Sequence, residues 1–434
     1  MPMPRFAHLS DTHLGAWREQ QLRELNMRAF EKAMIRCVKA NVEFIIVSGD
    51  LFDGNIPELQ TVKRAAEVIR EVKDQGIRIY VTYGSHDYSA SATSMIDVLH
   101  SAGLFQKVVE AESIDSGSEE RLRLKFIKDQ IIGVKLVGIY GRRNGLEKDY
   151  FEIIDRDYLQ EEAGFKIFVF HSAITELRPE NFAYGETIPL SLLPKGFPYY
   201  AGGHIHKRLI QYVDGYGHIA YPGPTFGATF TDLEDTALGE KRGFYIVDFD
   251  KEVTNISFEQ IEVCSIVYRN FDADKKTSRQ VSESLKQFAS EVDCKGKVVL
   301  IKVKGQLSSG KLSDIPFDQI RRSLLDAGAL VARINHSSLT SEGIASLKVM
   351  GETKQEIESR LIEERISGYK IDPSITDPKV MEIVSDRLLG KGGISTAQRL
   401  LTALKVEQKE NESKDTFRNR VLRDAQDELR LGEP

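Results

Sequence analysis

Short apolar runs alternate with amphipathic stretches through residues 1–250 of the chain. The runs are rich in Val, Ile, Phe and Tyr and end in Gly, Ser, Asp or His, which is typical of buried strands that enter tight turns. The stretches at 19–39 and 59–75 repeat apolar residues at helical spacing. The predicted strands are Arg5–Asp11, Phe44–Asp50, Arg78–Gly84, Ile132–Tyr140, Lys166–Ser172, Tyr199–His204 and Gly243–Phe249. This β-α-β-α order predicts a layered α/β domain over 1–250, with ligands at the carboxyl ends of its strands.

The pattern changes twice along the rest of the chain. Residues 251–340 predict the order strand, helix, strand, helix, strand, which is enough for a small α+β domain with its own core. Residues 341–434 are almost wholly helical and highly charged, with amphipathic helices predicted at 352–366, 378–389, 395–404 and 414–431. Short helices of this kind bury little surface alone. We therefore expect the tail to dock on a partner, or else on its own domain.

Cysteine usage and hydropathy indicate the compartment. The 434 residues contain three widely spaced cysteines and no CxxC or CxxH pair, which argues against a disulfide framework and a structural zinc module. The N-terminus lacks a secretory pattern, and no apolar run approaches the ~18 residues that a membrane span needs. We expect a cytoplasmic protein with no membrane contact.

The charge is distributed unevenly around a net value of −6. Residues 1–250 hold 29 basic and 36 acidic side chains, whereas residues 251–340 hold 14 basic and 11 acidic ones. An acidic body with a mildly basic middle segment fits metal-binding carboxylates beside a module that faces nucleic acid. Chance variation on a solvated surface explains the charge equally well.

Five of the nine histidines follow predicted strands, each beside another potential metal ligand. The clusters are Asp11-Thr-His13, Gly49-Asp50, Gly84-Ser85-His86-Asp87, His171-Ser172 and Gly203-His204-Ile-His206. One such histidine is more often a core or surface residue, but the repetition favours a metal site. Asp-x-His and His-x-His on an extended strand put both side chains on one face. Carboxylates with imidazoles suit Mn²⁺, Fe²⁺ or Zn²⁺. Six or seven ligands predict two ions roughly 3.5–4 Å apart.

The motif order D-x-H, G-D, G-x-H-D, H, G-H-x-H resembles that of the calcineurin-like metallophosphoesterase superfamily. More narrowly, the opening HLSDTHLG, the block SGDLFD and the basic segment after residue 250 are similar to the archaeal-type Mre-eleven and SbcD nucleases of DNA double-strand-break repair. The similarity covers roughly residues 5–340 and, more loosely, the tail. It implies an α/β fold: a sandwich of β-sheets flanked by helices, with a small α+β capping domain and a helical C-terminal tail.

The resemblance also implies two bound divalent ions, most readily Mn²⁺, with Asp50 as the shared ligand. The first ion would be held by Asp11, His13, Asp50 and His206. The second would be held by Asp50, Ser85, His171 and His204. His86 would contact the scissile phosphate and stabilise or protonate the leaving oxygen while a hydroxide attacks phosphorus in line.

Two positions depart from the family pattern. Ser85 stands where the superfamily usually has Asn, and a hydroxyl is a shorter and poorer neutral ligand than an amide carbonyl. Either Ser85 coordinates weakly or water takes its place. Asp53 stands where nuclease relatives often have a further histidine. It either binds a metal-linked water or caps the next helix.

The function that the resemblance implies is a two-metal DNA exonuclease and endonuclease that processes double-strand breaks. Residues 1–250 would form the nuclease domain and the dimer contact of a homodimer, residues 251–340 the capping and DNA-binding domain, and residues 341–434 the docking region for a Rad-fifty-type ABC ATPase.

Two alternatives keep the same metal core: a small-molecule phosphodiesterase, which would not need the cap and the tail, and a weakly catalytic scaffold subunit, which Ser85 suggests. A protein phosphatase is disfavoured because the GDxVDRG arginine is missing after Asp53.

Overall fold

The computed structural model describes residues 3–88, 93–115, 120–142, 147–179, 187–341, 393–406 and 414–428. The chain divides into two compact units, Met1–Gly343 and Ile344–Pro434. Among the described helices, none combines the length and the apolar composition that crossing a bilayer requires.

The strands of the first unit, in chain order, are β1 (Arg5–Leu9), β2 (Phe44–Ser48), β3 (Arg78–Thr82), β4 (Gln106–Lys107), β5 (Ala111–Asp115), β6 (Glu120–Leu124), β7 (Ile127–Lys128), β8 (Lys135–Ile139), β9 (Lys166–His171), β10 (Ala173–Ile174), β11 (Thr187–Ile188), β12 (Tyr199–Gly203), β13 (Leu209–Val213), β14 (Gly217–Tyr221), β15 (Gly243–Phe249), β16 (Val253–Gln260), β17 (Ile266–Asp272), β18 (Val298–Leu307) and β19 (Val331–Ser341). Its helices are α1 (Gln20–Lys39), α2 (Leu59–Asp74), α3 (Met95–Ser101), α4 (Lys148–Ile153), α5 (Arg156–Glu161), α6 (Phe230–Ala237), α7 (Ser278–Glu291) and α8 (Phe317–Asp326). Short 3-10 turns occur at Thr175–Leu177, Leu190–Leu192 and Leu312–Asp314.

Two six-stranded sheets form the centre of the unit. The first has the order β16-β15-β1-β2-β3-β4, and the second has the order β13-β14-β12-β9-β8-β7. Strands β1 to β4 are parallel to one another, as are β14, β12, β9 and β8. The antiparallel pairs are β1 with β15 and β15 with β16 in the first sheet, and β14 with β13 and β8 with β7 in the second. Apolar side chains from both sheets meet between them in one core, including Phe6 and Phe44 from the first and Ile167 and Tyr199 from the second.

Helices cover the outer faces of the two sheets. The buried faces of α1, α2 and α3 share a core with the first sheet, and α4 and α5 share a core with the second. In α1, buried Leu22, Leu25, Ala29, Ala33 and Cys37 follow helical spacing, which explains why this segment packs along one stripe. The predicted fold class, a β-sandwich flanked by helices, is confirmed.

The small α+β part consists of the three-stranded parallel sheet β17-β18-β19 with α7 and α8. Successive side chains of β18 point to opposite faces of its sheet, and both faces are buried. Val299 and Ile301 pack with the two helices, whereas Val298 and Leu300 join the core of α1 and the first sheet. Lys302 reinforces this contact through its Nζ atom, which lies 2.8 Å from the carboxylate of Glu234.

The boundary predicted at residue 250 falls between two paired strands. Strand β16 lies beyond that residue, yet it pairs with β15 along Gly243–Phe249 and so extends the first sheet to Gln260. The separate three-stranded sheet begins only at Ile266. Both parts belong to the same compact unit, Met1–Gly343.

The second unit is described at two helices, α9 (Gly393–Leu404) and α10 (Lys414–Glu428). They correspond to the last two predicted tail helices. An ion pair of 2.8 Å joins Arg399 to Glu428 across them. The helices predicted at 352–366 and 378–389 lie outside the described residues.

Candidate metal centre

The polar residues that follow β1, β2, β3, β9 and β12 meet at one edge of the sandwich because the parallel strands of each sheet end there. Asp11, His13, Asp50 and His204 adopt positive φ angles of 51°, 42°, 51° and 88°. Non-glycine residues seldom adopt such angles, and where they do the surrounding structure must enforce them. The backbone strain of the described chain is thus concentrated where the predicted ligands lie.

His13 and His206 face each other, with a distance of 3.1 Å between their Nε2 atoms. The Nδ1 atom of His13 lies 3.1 Å from Asp53 Oδ1, and Nδ1 of His206 lies 3.0 Å from Asp232 Oδ2. Each Nδ1–H therefore donates to a carboxylate, which leaves a lone pair on each Nε2. Two facing lone pairs repel unless a cation lies between them. With Asp11 Oδ1 3.9 Å from His206 Nε2, this group fits the first ion.

Asp50 lies between two imidazoles. Its Oδ2 is 3.2 Å from His171 Nε2 and 3.5 Å from His13 Nε2, and its Oδ1 accepts the backbone N–H of His86 at 2.8 Å. The Nδ1–H of His171 donates to the carbonyl of Ser48 at 2.9 Å. His171 Nε2 is buried and has no well-formed hydrogen bond to the described residues. An orphaned nitrogen beside a shared carboxylate fits a second ion bridged by Asp50.

His204 and Ser85 stand beside this second group. The backbone N–H of His204 donates to both oxygens of Asp11, at 2.9 and 3.2 Å, and its ring centroid is 5.3 Å from that of His171. In the described chain, however, the His204 ring is not part of any set of three ligand atoms within 4.8 Å of one another. Ser85 follows Gly84, where any Cβ would collide with the carboxylate of Asp50. Only glycine therefore allows the backbone at residue 84 to pass so close to Asp50.

His86 is the most exposed of these histidines, with 44% of its side chain accessible. Its Nδ1–H donates to the carbonyl of Asp53 at 2.9 Å, and its ring meets that of His13 edge to face at 4.8 Å. Nε2 is then the ring nitrogen available to a substrate. The suggestion that Asp53 caps a helix is wrong, because α2 begins at Leu59 and its N-cap is Glu58. Asp53 instead positions His13 and His86.

Asp232 contacts the candidate ligand His206, and no motif along the sequence pointed to it. It lies in the first turn of α6, where it forms a capping box with Thr229 and also accepts the N–H of Ala228 at 2.9 Å. Arg242 donates to the carbonyls of both His206 and Asp232 at 2.5 and 2.6 Å, which locks the pair together. The Thr-x-x-Asp spacing indicates a capping box, but no pattern along the chain connects it to His206.

A buried network of hydrogen bonds connects the strands that carry the candidate ligands. Tyr199 Oη and Ser48 Oγ lie 3.0 and 2.8 Å from the two ring nitrogens of His8, and Ser48 Oγ donates to the carbonyl of Gly202 at 3.0 Å. Burial lowers the pKa of His8 to about 3, so this imidazole is neutral. These hydrogen bonds join His8, on the strand that precedes Asp11, to Ser48, whose carbonyl accepts from His171. They also join Ser48 to Gly202, two residues before His204.

The electrostatics of the centre favour positive charge. Burial alone would lower the pKa of His13 and His171, but the nearby carboxylates of Asp50 and Asp11, with Asp53 for His13, raise them to about 9 and about 10. Despite its burial, the pKa of Asp50 is held well below its usual range by His171 and His13. His204 differs, because burial and the charge of His171 lower its pKa to about 4. In the metal-free protein, protons on His13 and His171 supply this positive charge, and a metal ion that binds must displace them.

Comparison with known proteins agrees with this geometry. Residues 4–208 match the family model described as calcineurin-like phosphoesterase. The chain is 28% identical over 283 residues to the DNA double-strand break repair protein Mre11 of Methanococcus maripaludis, covering 64% of this chain and 70% of that protein. It is 29% identical to the Mre11 of Methanopyrus kandleri, covering 60% of this chain and 57% of the relative. With the Mre11 of Methanocaldococcus jannaschii the identity is 24%, over 75% and 82% of the two chains.

Among solved structures, the protein TT1561 of Thermus thermophilus is matched at a TM-score of 0.37 and 10% identity, over 60% of this chain and all of that one. The family match, the motif order and the similarity to several archaeal Mre11 proteins agree with one another. Residues 4–208 thus match a calcineurin-like phosphoesterase domain, and the chain is similar to the archaeal Mre11 proteins.

Proposed function

We propose that this protein is a metal-dependent DNA nuclease that processes DNA ends in double-strand-break repair, with two divalent ions, most readily Mn²⁺, as cofactors. The observation that carries the proposal is the meeting of two buried carboxylates with three imidazole nitrogens whose opposite nitrogens are all engaged. That arrangement is suited to holding cations once the protons of the metal-free centre are displaced.

The residues divide into three roles in this proposal. Asp11, His13 and His206 would hold one ion, His171, His204 and Ser85 would hold the other, and Asp50 would be shared. When bound, the ions would polarise the phosphodiester and make water a better nucleophile. His86, exposed and adjacent to His13, contacts the scissile phosphate. Its Nε2 donates a hydrogen bond to the leaving oxygen when the ring carries a second proton.

DNA as the substrate is supported by two features. Several relatives that share the phosphoesterase domain are named as DNA double-strand break repair proteins. The small α+β part, which begins at Ile266, lies in the mildly basic segment 251–340 and packs on α1 and the first sheet. We assign to it contacts with the phosphate backbone, which require positive charge and no sequence readout. Such a function places the protein in the cytoplasm, at the chromosome.

The helical tail, residues 341–434, is the proposed docking region for a Rad-fifty-type ABC ATPase. Leu404 on α9 and Leu422 on α10 are 53% and 48% exposed, which leaves apolar surface for a partner helix or groove. Replacing both with Glu is expected to abolish co-elution with the ATPase and to leave DNA cleavage by the isolated chain unchanged. Undiminished co-elution would refute the docking assignment. A homodimer through helices of the phosphoesterase domain completes the proposed assembly and is checked by light scattering.

The function itself is tested with an end-labelled DNA duplex and a small diester with a single phosphate, each incubated with Mn²⁺, Mg²⁺ or a chelator. We expect DNA cleavage that needs the metal and disappears in Asp50→Asn, with Asp235→Asn on α6 as a matched control that keeps wild-type activity. Cleavage of the small diester alone would show a small-molecule phosphodiesterase. Inactivity on both substrates in the presence of the ATPase would show a scaffold subunit.

A further inference from the structure

A cluster of aromatic rings around one arginine lies beside the metal centre. The tyrosine–arginine cluster consists of Tyr83, Tyr88, Tyr140, Tyr150 and Arg142, all half-buried. It adjoins the centre at two points. Tyr88 follows His86 by two residues, and a Cβ at Gly141 would lie 2.6 Å from the carbonyl oxygen of His171.

The rings hold the guanidinium of Arg142 in one place. Its Cζ lies 5.3 Å from the ring centroid of Tyr88 and 5.3 Å from that of Tyr150. Nη1 also donates to the hydroxyl of Tyr150 at 3.2 Å. The ring of Tyr88 is in turn stacked on Tyr140, at 5.9 Å and an interplanar angle of 7°. A planar cation held by two rings loses little further freedom when it binds an anion.

The charge of Arg142 is not neutralised by a carboxylate of the described residues. Glu147, which is close in sequence, is engaged elsewhere, since it accepts the backbone N–H of Arg142 at 3.2 Å and the hydroxyl of Ser172 at 2.9 Å. Two other arginines that lie over aromatic rings have acidic partners, whereas Arg208, over Phe258, pairs with no carboxylate of the described residues. Arg123 pairs with a carboxylate at 2.9 Å and Arg333 with another at 3.0 Å.

We propose that Arg142, held by Tyr88 and Tyr150, binds a phosphodiester of the nucleic-acid strand next to the scissile one. The inference rests on the proposed nuclease function and names a subsite for its substrate. A guanidinium offers two parallel N–H donors that match phosphate oxygens. The adjacent tyrosine rings suit the sugar and base that such a phosphate carries, because every base has a face that stacks on an aromatic ring. A small diester lacks a second phosphate and cannot use the subsite.

The test compares Arg142→Met with Arg121→Met, an exposed arginine on β6, as a control for lost charge. Binding of a labelled single-stranded oligonucleotide is measured by fluorescence anisotropy with Ca²⁺. Hydrolysis of that oligonucleotide and of a small diester with a single phosphate is measured with Mn²⁺. Arg142→Met is expected to weaken DNA binding and kcat/KM for DNA about tenfold, with less than a twofold change for the small diester. The slope of log Kd against log salt should fall by about 0.7, the value for one phosphate contact on a single strand.

Two further variants separate the subsite from a packing role. Arg142→Lys keeps the charge without the planar fork and should recover part of the loss, while Tyr150→Phe should cost a few-fold. An equal loss on DNA and on the small diester, or a loss no larger than that of Arg121→Met, would overturn the proposal.

The two proposals fail differently. If the wild type binds DNA through Arg142 but never cleaves it, the nuclease assignment falls and the subsite stands, whereas a wild type that cleaves DNA equally well without Arg142 removes the subsite alone.

Discussion

Replacing Asp232 with Asn is expected to weaken metal binding on the His206 side of the centre about 10- to 100-fold, which corresponds to ~1.4–2.7 kcal/mol. The carboxylate of Asp232 serves two sets of donors. Its Oδ2 accepts the backbone N–H groups of Ala228 and Thr229 at 2.9 and 2.8 Å, and both oxygens lie within 3.1 Å of His206 Nδ1. Despite burial, His206 and Arg242 hold the pKa of Asp232 below its usual range, so the group is an anion.

An amide at residue 232 can satisfy only one of these sets with its oxygen. If the oxygen stays with the two backbone N–H groups, the NH₂ group faces His206, whose Nδ1 must become an acceptor. The proton of that imidazole then moves to Nε2, the atom that would bind the ion. The substitution therefore lowers metal affinity because it favours the tautomer of His206 that carries its proton on Nε2. The packing volume changes little.

Isothermal titration calorimetry with Mn²⁺ measures the effect, alongside unfolding of the chelated protein. Thr229→Ala is the matched control, because it removes the helix cap, at a cost of about 0.5–2 kcal/mol in stability, and keeps the carboxylate of Asp232. We expect Thr229→Ala to destabilise the protein without weakening the metal, and Asp232→Asn to do the reverse. Equal losses of Mn²⁺ affinity in both variants would show that α6 packing, and not the tautomer of His206, sets the affinity.

Three further outcomes follow from the centre. His86→Leu should leave Mn²⁺ binding within twofold of wild type and abolish DNA cleavage, as calorimetry and a gel assay would show; residual cleavage near the wild-type rate would contradict the leaving-group role. Ser85→Asn should tighten the weaker of two Mn²⁺ binding steps several-fold, because an amide oxygen is a better and longer ligand than a hydroxyl, and an unchanged second step would exclude coordination at this position. The pKa values of His13 and His171, about 9 and about 10, lie above the unfolded value of 6.5. Their contribution to the stability of the metal-free protein is therefore fully present below about pH 6.5 and is lost as pH rises through 9 to 10. Urea unfolding in chelator from pH 6 to 10 measures this trend, and Mn²⁺ binding should show the opposite one, with proton release.

The strands that enclose the centre could be predicted closely from the sequence. Strands β1, β2, β3 and β9 are buried along almost their whole length and read as continuous apolar runs, which is typical of parallel strands inside a layered fold. Strands β5, β6, β13, β14 and β16 and the two-residue strands β4, β7, β10 and β11 were missed. The residues of β13 are mostly exposed, and the Arg-Leu-Arg-Leu run of β6 gives only a weak alternation. A strand that buries little surface leaves little trace in the hydrophobic pattern.

The sequence by itself determined which residue types are available at the metal centre and in what order. Aspartates and histidines placed directly after buried strands must come together once those strands form sheets, so Asp11, Asp50 and His171 could be chosen from spacing and motif. The chain order also indicated the family.

Only the tertiary structure decided which nitrogen of each histidine is free. Asp53 is 40 residues from His13, Asp232 is 26 from His206, and Ser48 is 123 from His171. The tautomer of an imidazole depends on the partner of its other nitrogen, and that partner is brought by packing between sheets and helices. The same holds for Arg142, whose contacts with Tyr88 and Tyr150 arise from segments that meet only at the edge of the folded sandwich.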